Sequence, residues 1–550
     1  MIYLSSLLFS AFTTVMLIPP LIRLSLKWNA VDAPDERKVH TRPVPRCGGV
    51  AMVLGAAVPI LIWAEMNDFT RAYLIGISIL VVFGSLDDFR GLGYLPKFAG
   101  QIAAALTVVI YGGLAIHSLG TLLPEGSAMP GWFSALLTVV AVVGVTNAVN
   151  LSDGLDGLAG GISLLGFCCL AFLAHQENTA VITLMAVSLA GALFGFLRFN
   201  THPASLFMGD TGSQLLGFSA AALSISLTQG KNPLSPLLPL IILGFPILDT
   251  LTVMAERIAA GRSPFAADRS HFHHRLMGFG FSHRDAVLII YGLQGLLILS
   301  AIFFRFHSEW VLLTGYGLFA LLIVTAFHAA DRRGWRYQRI GWIDALVKSP
   351  LRTMAEKGVL IRVSFRAVEF GLPSLLLFTA FLPADIPAYV SALSAILVLG
   401  LLLIRAARPA WSAWGLPVSY YLLIPFLVYF SQADRAGWGG PRLEIAQNFC
   451  YVGLTGFTLL VVKFTRRKKG FRATPLDFLI LFLVAVIVPQ LPLENMKPYQ
   501  LGVLSGKMLV LFFAVEVVLG ELRGELDRLS LSVLPALTVV AIRGFAAWRL

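Results

Sequence analysis

Charge is what this chain has least of. Asp, Glu, Lys and Arg make up 13% of its 550 residues, against 57% hydrophobic, where a soluble domain carries about 25% charged residues. That scarcity excludes a water-soluble globular chain and indicates a polytopic membrane protein. Cysteine is nearly as rare. Cys168 and Cys169 are adjacent in an apolar run, Cys47 sits in a polar loop and Cys450 opens a late apolar segment. These positions have no metal-ligand spacing and imply no disulfide framework. There is no P-loop and no Gly-x-Gly-x-x-Gly fingerprint, which excludes a nucleotide-triphosphate engine. The start, Met1-Ile-Tyr-Leu4, lacks a basic stretch and a small-residue cleavage site, so it reads as a retained first span rather than a signal peptide.

What is present is a succession of apolar runs of about 17–25 residues, the length a bilayer-spanning helix requires. Membrane barrel strands would be shorter and alternating, so the expected fold is an all-α polytopic helical bundle. Eleven spans are expected near 3–22, 48–66, 70–86, 98–117, 132–149, 158–174, 179–197, 212–228, 236–255, 286–304 and 309–329. About six more follow near 368–382, 387–404, 416–431, 446–463, 474–490 and 501–519, and a short end segment at 531–547 is a further candidate. This divides the chain into a first membrane domain, 1–330, a basic aromatic interfacial linker, 331–366, and a C-terminal multi-span domain, 367–550. The linker includes Arg332-Arg333-Gly-Trp335-Arg336, a mixture suited to anionic headgroups.

Alternate loops divide sharply in charge. One set carries Arg23, Lys27, Arg37, Lys38, Arg42, Arg46, Arg90, Lys97, Arg198, Arg257, Arg262, Arg269, Arg275 and Arg284; the other holds little beyond Arg71, Lys231 and Arg305. The positive-inside rule puts the basic set in the cytoplasm and the N-terminus outside. The formal net charge of +12 is then a topology and anionic-lipid signal, and nucleic acid is not expected as a partner.

Every polar cluster falls on that cytoplasmic side. Asp87-Asp88 ends an apolar run, where a helix C-terminus disfavours acids, and Lys97 follows as a candidate neutraliser. Asn147, Asn150, Asp153 and Asp156 stand at spacings of three, followed by Gly157 and Gly160-Gly161; ionisable groups at the end of a membrane helix default to a functional reading. The segment Arg198-Phe-Asn200-Thr-His202 leads to Phe207-Met-Gly-Asp210-Thr-Gly-Ser213. Asp210 is either an N-cap or, with amide and hydroxyl oxygens nearby, a hard ligand suited to Mg²⁺. A fourth loop contains Asp268-Arg269-Ser270-His271-Phe-His273-His274-Arg275, and Asp249 lies near the same end of its span. Three close histidines suggest zinc, but no partner ligand set accompanies them. The interleaved arginines favour an anion such as a diphosphate or a sugar phosphate.

Carboxylates poised for a divalent metal beside cations for phosphate suit phosphoryl transfer, in which the protein mainly positions groups and stabilises charge. The alternative is a transporter or lipid flippase, which would set its charges near the midplane at a repeat interface. Here they cluster at one face.

At Asp87-Asp88, Asn147–Leu158, Phe207–Ser213 and Ser270–Arg275, the chain resembles the polyprenyl-phosphate N-acetylhexosamine-1-phosphate transferases. The Arg37-Lys38-x-His40 loop with Gly48-Gly49 also fits. The similarity spans about residues 1–330. It implies transfer of a sugar-1-phosphate from a UDP-N-acetylhexosamine to a polyprenyl (undecaprenyl) phosphate, releasing UMP and starting lipid-linked cell-envelope glycan synthesis. It further implies a bacterial inner-membrane enzyme with a cytoplasmic site, using Mg²⁺, with Mn²⁺ as a substitute. Asp210 would hold the metal with Asn150 nearby. Asp87, Asp88, Asp153 and Asp156 would be catalytic; Asn147, Lys97, His271, His273, His274 and Arg275 would bind substrate. The His-x-His-His-Arg form resembles the bacterial GlcNAc branch, making UDP-GlcNAc the expected donor. Membrane lipids are expected partners, and self-association is left open. The C-terminal extension departs from the family and shows no catalytic cluster.

Overall fold

The computed structural model describes residues 2–28, 31–32, 43–124, 129–264, 270–337, 359–407, 412–433, 441–464, 474–484, 501–521 and 526–547. Arg37, Lys38, His40, Asp268, Arg269 and residues 338–358 of the expected linker therefore lie outside the described residues. The chain divides into two compact units, residues 1–338 with 474–483, and residues 339–473 with 484–550.

The first unit is a helical bundle. Its helices are α1 (Ile2–Lys27), α2 (Gly48–Trp63), α3 (Asp68–Arg90), α4 (Tyr94–Leu106), α5 (Gly131–Leu151), α6 (Leu158–Gln176), α7 (Ala180–Asn200), α8 (Gly209–Thr228), α9 (Leu238–Ile242), α10 (Gly244–Ala259), α11 (Phe272–Gly278), α12 (His283–Phe303) and α13 (Glu309–Arg332). Among the described residues of the whole chain, eleven helices are long and apolar enough to cross a membrane. The all-α polytopic expectation holds. One departure is a two-residue antiparallel ribbon pairing Val31–Asp32 with Val44–Pro45 in a loop outside the spans, where Arg46 pairs with Asp32.

α6, α7 and α8 are buried on nearly all sides, with Phe167, Phe196 and Phe218 almost inaccessible. α1 and α13 instead leave Leu4, Leu8, Leu318, Leu321 and Leu322 exposed. In water such faces would aggregate; against acyl chains they are the natural outer wall. Small residues draw the helices together, since a Cβ on Gly49 would meet the Gly212 backbone nitrogen at 2.2 Å.

The expected span at 236–255 is broken into α9 and α10 at Leu243. A broken helix at membrane depth must satisfy its freed backbone groups. Gln294 of α12 does so, its amide donating to the Ile242 carbonyl (2.7 Å) and accepting from the Phe245 N–H (3.3 Å), while the Tyr316 hydroxyl donates to the Gly244 carbonyl (2.8 Å). The short helix Pro475–Phe482 also belongs to this unit and sets Phe482 against Gly295 of α12.

The second unit is built from the helices Val359–Phe381, Ala388–Ala407, Ser412–Ala433, Pro441–Phe464, Leu501–Glu521 and Leu526–Ala547. Leu372, Tyr420, Ile424, Leu511, Val518 and Leu537 lie in its core. Arg543 donates to the carbonyls of Ala380 and Pro383 (2.9 and 2.6 Å) at the end of Val359–Phe381, the favoured pairing of a cation with a helix C-terminus.

Candidate active site

The ends of α3 and α5, the beginnings of α4, α8 and α12, and the α11 loop converge on one polar region. Lys97, in the first turn of α4, is its hub. Its ammonium lies 2.7 Å from Asp87 Oδ2 and 2.7 Å from Asp210 Oδ2. Lys97 is thus the neutraliser expected for Asp87, and it serves Asp210 as well. Asp87 is buried, and its other oxygen, Oδ1, has no hydrogen-bond partner among the described residues.

The adjacent pair is split in role. Asp88 Oδ1 accepts the Asp210 N–H (2.9 Å), and Oδ2 accepts the N–H (3.2 Å) and hydroxyl (2.9 Å) of Thr211. Asp88 therefore caps α8 from a neighbouring helix. The physical reason is local: α8 opens on Met208, which offers no side-chain cap, and on Gly209 at φ +66°, leaving the first N–H groups orphaned. A Cβ at Gly209 would stand 2.5 Å from both Asp88 carboxylate oxygens, so glycine is needed both for the backbone angle and for the approach. Two acids at the C-terminal end of α3 are unfavourable for that helix, but one of them faces the positive end of α8. Asp210, which could have been the N-cap, lies inside the first turn instead and is free to face Lys97.

The asparagines are likewise engaged. Asn147 donates to Gln101 Oε1 of α4 (2.6 Å) and to the Val143 carbonyl (2.9 Å), so the structure makes it a brace between α4 and α5 rather than an open substrate contact. Asn150 Oδ1 accepts the Ser213 hydroxyl (2.7 Å), joining α5 to the turn that carries Asp210.

The loop from α5 to α6 is held on several sides. The Gly157 N–H donates to Asn200 Oδ1 (2.9 Å), its carbonyl accepts the Tyr291 hydroxyl (2.7 Å), and the Asp156 N–H donates to His283 Nε2 (3.1 Å). The Asp156 carboxylate contacts His202 Nδ1 (2.6 Å) and accepts the Ala204 N–H (3.1 Å). Asp153 remains. Burial, followed by the negative charges of Asp210, Asp156 and Asp88, pushes its pKa up to about 7, with Arg46 opposing.

In the histidine loop, His271 Nδ1 lies 3.0 Å from Asp249 Oδ2, and the Phe272 N–H donates to Asp249 Oδ1 (2.8 Å). Arg275, expected to bind substrate, pairs with Glu256 and donates to the Ser270 carbonyl (2.7 Å). Its guanidinium thus ties α11 to α10. His273 is the member that reaches the loop carrying Asp153: a Cβ on Gly154 would meet its Nε2 at 2.1 Å. Burial, followed by neighbouring His274, lowers its pKa to about 3, and Nε2 has no partner among the described residues. The His274 ring lies beside it at a tilt of 43°, ring centroids 4.2 Å apart.

The site thus brings together Asp87, Asp88, Lys97, Asp210, Asn150 and Asp153, with His273 behind Gly154. Reading the sequence missed Gln101, His283 and Tyr291. His283 had a usable signal, since it follows the helix-starting Ser282 at the start of a span. Gln101 and Tyr291 lie among apolar residues whose partners are distant in sequence.

Comparison with known proteins gives this geometry a lineage. The profile of glycosyl transferase family 4 matches residues 70–228, the stretch carrying the acids of α3, of the α5–α6 loop and of α8. The chain is 39% identical over 319 residues to a probable undecaprenyl-phosphate N-acetylglucosaminyl 1-phosphate transferase of Bacillus subtilis, covering 57% of this chain and 87% of that protein. The chain belongs to glycosyl transferase family 4. Other family 4 relatives include a decaprenyl-phosphate N-acetylglucosaminephosphotransferase of Mycolicibacterium smegmatis, 36% identical over 55% of this chain and 82% of the relative. An undecaprenyl-phosphate alpha-N-acetylglucosaminyl 1-phosphate transferase of Escherichia coli is 31% identical over 58% and 88%. Each of these family 4 matches leaves over two fifths of this chain uncovered.

Proposed function

We propose that this membrane protein transfers GlcNAc-1-phosphate from UDP-GlcNAc to a polyprenyl phosphate, undecaprenyl phosphate in the first instance. A phosphate oxygen of the lipid attacks the phosphorus bearing the sugar, the diphosphate P–O bond breaks, and UMP leaves with the bridging oxygen. The names of the relatives support the donor and acceptor classes. The observation that carries the reading is the Lys97 ammonium held between Asp87 and Asp210. No such cluster is needed to cap helices, and it lies at the helix ends where a phosphosugar arriving from water could meet a lipid headgroup. By the positive-inside rule that end faces the cytoplasm, in a bacterial plasma membrane.

The donor set fits a hard divalent cation. Asp87 keeps a buried oxygen without a partner, Asp210 presents a second carboxylate, and Lys97 marks where positive charge is stabilised between them. Asp87 and Asp210 would hold Mg²⁺, or Mn²⁺ in its place, which supplies charge neutralisation for the diphosphate and the departing UMP. Asn150 and Ser213 fix the Asp210 turn, and Asp88 fixes the start of α8. Asp153, with its pKa near 7, is matched to take the last proton from a phosphomonoester, whose second pKa is about 6. His273, kept neutral by burial, offers a ring nitrogen to the donor beside Gly154. The transporter alternative has no support, because the ionisable groups gather at helix ends rather than at mid-membrane.

The purified protein, given UDP-GlcNAc, undecaprenyl phosphate and Mg²⁺, is expected to release UMP and form a lipid-linked sugar diphosphate. Chelation should stop both. Absence of UMP from every UDP-N-acetylhexosamine tried would overturn this reading.

A further inference from the structure

We propose that Asp156, His202 and His283 form a binding site for a transition-metal dication of the Zn²⁺ class, distinct from the Asp87–Lys97–Asp210 cluster. The three residues come from three segments: the loop between α5 and α6, the loop between α7 and α8, and the first residue of α12. One ligating atom from each lies within 4.8 Å of the other two. Asp156 Oδ2 and His202 Nδ1 are 2.6 Å apart, and the His202 and His283 rings stack with centroids 4.1 Å apart.

A second observation is independent of that convergence. His283 is 8% exposed, and its Nδ1 has no hydrogen-bond partner among the described residues. Its Nε2 accepts the Asp156 N–H at 3.1 Å, so in the neutral ring Nδ1 carries a proton with nowhere to donate it. A buried donor left so is destabilising. An ion taking the Nδ1 lone pair would displace that stranded proton to Nε2, so the Asp156 N–H contact would open as the ion binds. His202 is the more accessible member, its side chain 39% exposed, which gives an ion a route in from solvent.

The donor chemistry selects the ion. Two imidazoles and one carboxylate suit Zn²⁺ and its neighbours, whereas Mg²⁺ prefers oxygen. Three protein ligands also leave a fourth position for water. The site lies on the loop that presents Asp153, three residues before Asp156. An ion there ties that loop to the segment leading into Asp210 and to α12. The proposal stands apart from the reaction proposed above, since binding is measured without substrates.

Full-length protein stripped of metal by chelation would be titrated with Co²⁺, followed by absorption, and then with Zn²⁺. The expected result is one equivalent of Co²⁺ showing ligand-field bands of nitrogen coordination, displaced by Zn²⁺ and unaffected by excess Mg²⁺. Binding should persist in Asp210→Asn and in His274→Ala, and weaken by at least about a hundredfold in His202→Ala and in His283→Ala. If His283→Ala fails to fold, half-exposed His202 carries the test alone. No saturable Co²⁺ binding, or binding that survives His202→Ala, would overturn the proposal. Loss of binding in Asp210→Asn would assign the ion to the acid cluster and overturn it equally.

Discussion

At the scale of single residues, Asp153 carries the clearest pH signature. Its surroundings favour the neutral acid up to about pH 7, so turnover that needs its carboxylate should rise with pH through that value. Asp153→Asn should lower kcat and flatten the rise, which a pH–rate profile measures directly. The same shift has a sign for stability. Between the ordinary carboxylate pKa and about 7 the folded protein keeps a proton the unfolded chain has released, so stability falls as pH rises through that window. The Asn variant should lose this dependence, and Tm compared at the two ends of the window would show it. Most of the site residues were legible because a carboxylate at the end of an apolar run is conspicuous on energetic grounds. Their roles were less so. Whether Asp87 or Asp88 faces Lys97 depends on which one the start of α8 claims, and α8 lies more than a hundred residues further along the chain. Arg275 looked like an anion ligand, and only the packing of α11 against α10 shows that Glu256 holds it.

At the scale of elements, the site rests on caps and braces supplied from neighbouring helices. Asp88 is the most exacting of these. Asp88→Asn keeps an oxygen for one backbone N–H but loses the second acceptor and the charge at the positive end of α8. It should cost about 0.5–2 kcal/mol of stability and lower kcat by letting the Asp210 turn move. Mg²⁺ dependence of the rate should weaken together with kcat, while Asp210 itself is unchanged; a thermal melt and a Mg²⁺ titration of turnover check both parts. Spans were readable at this scale because about twenty apolar residues leave little choice of structure. The exception is 236–255. Hydropathy runs straight through Leu243, and the break depends on Gln294 being present from α12 to satisfy the freed groups. No local property of the segment announces a partner some fifty residues away.

At the scale of the molecule, two units share one chain, and every residue of the candidate site lies in the first. A chain ending at residue 338 should therefore still release UMP, but with a lower Tm, because it lacks the Pro475–Phe482 helix that packs on α12. An activity assay beside a melting curve would separate the two effects. The expected boundary near 330 followed from a change in charge and aromatic content; the return of Pro475–Phe482 to the first unit did not, since an apolar helix reads the same whichever bundle it joins. The Asp87–Lys97–Asp210 cluster, proposed as the centre of phosphosugar transfer, is tested most directly by UMP release from Asp210→Asn in the full-length protein. That variant preserves the shape of the α8 turn, so it should melt like the parent yet lose at least about a hundredfold in kcat, the scale of removing one charge-stabilising group. Full turnover from folded Asp210→Asn protein would contradict the account.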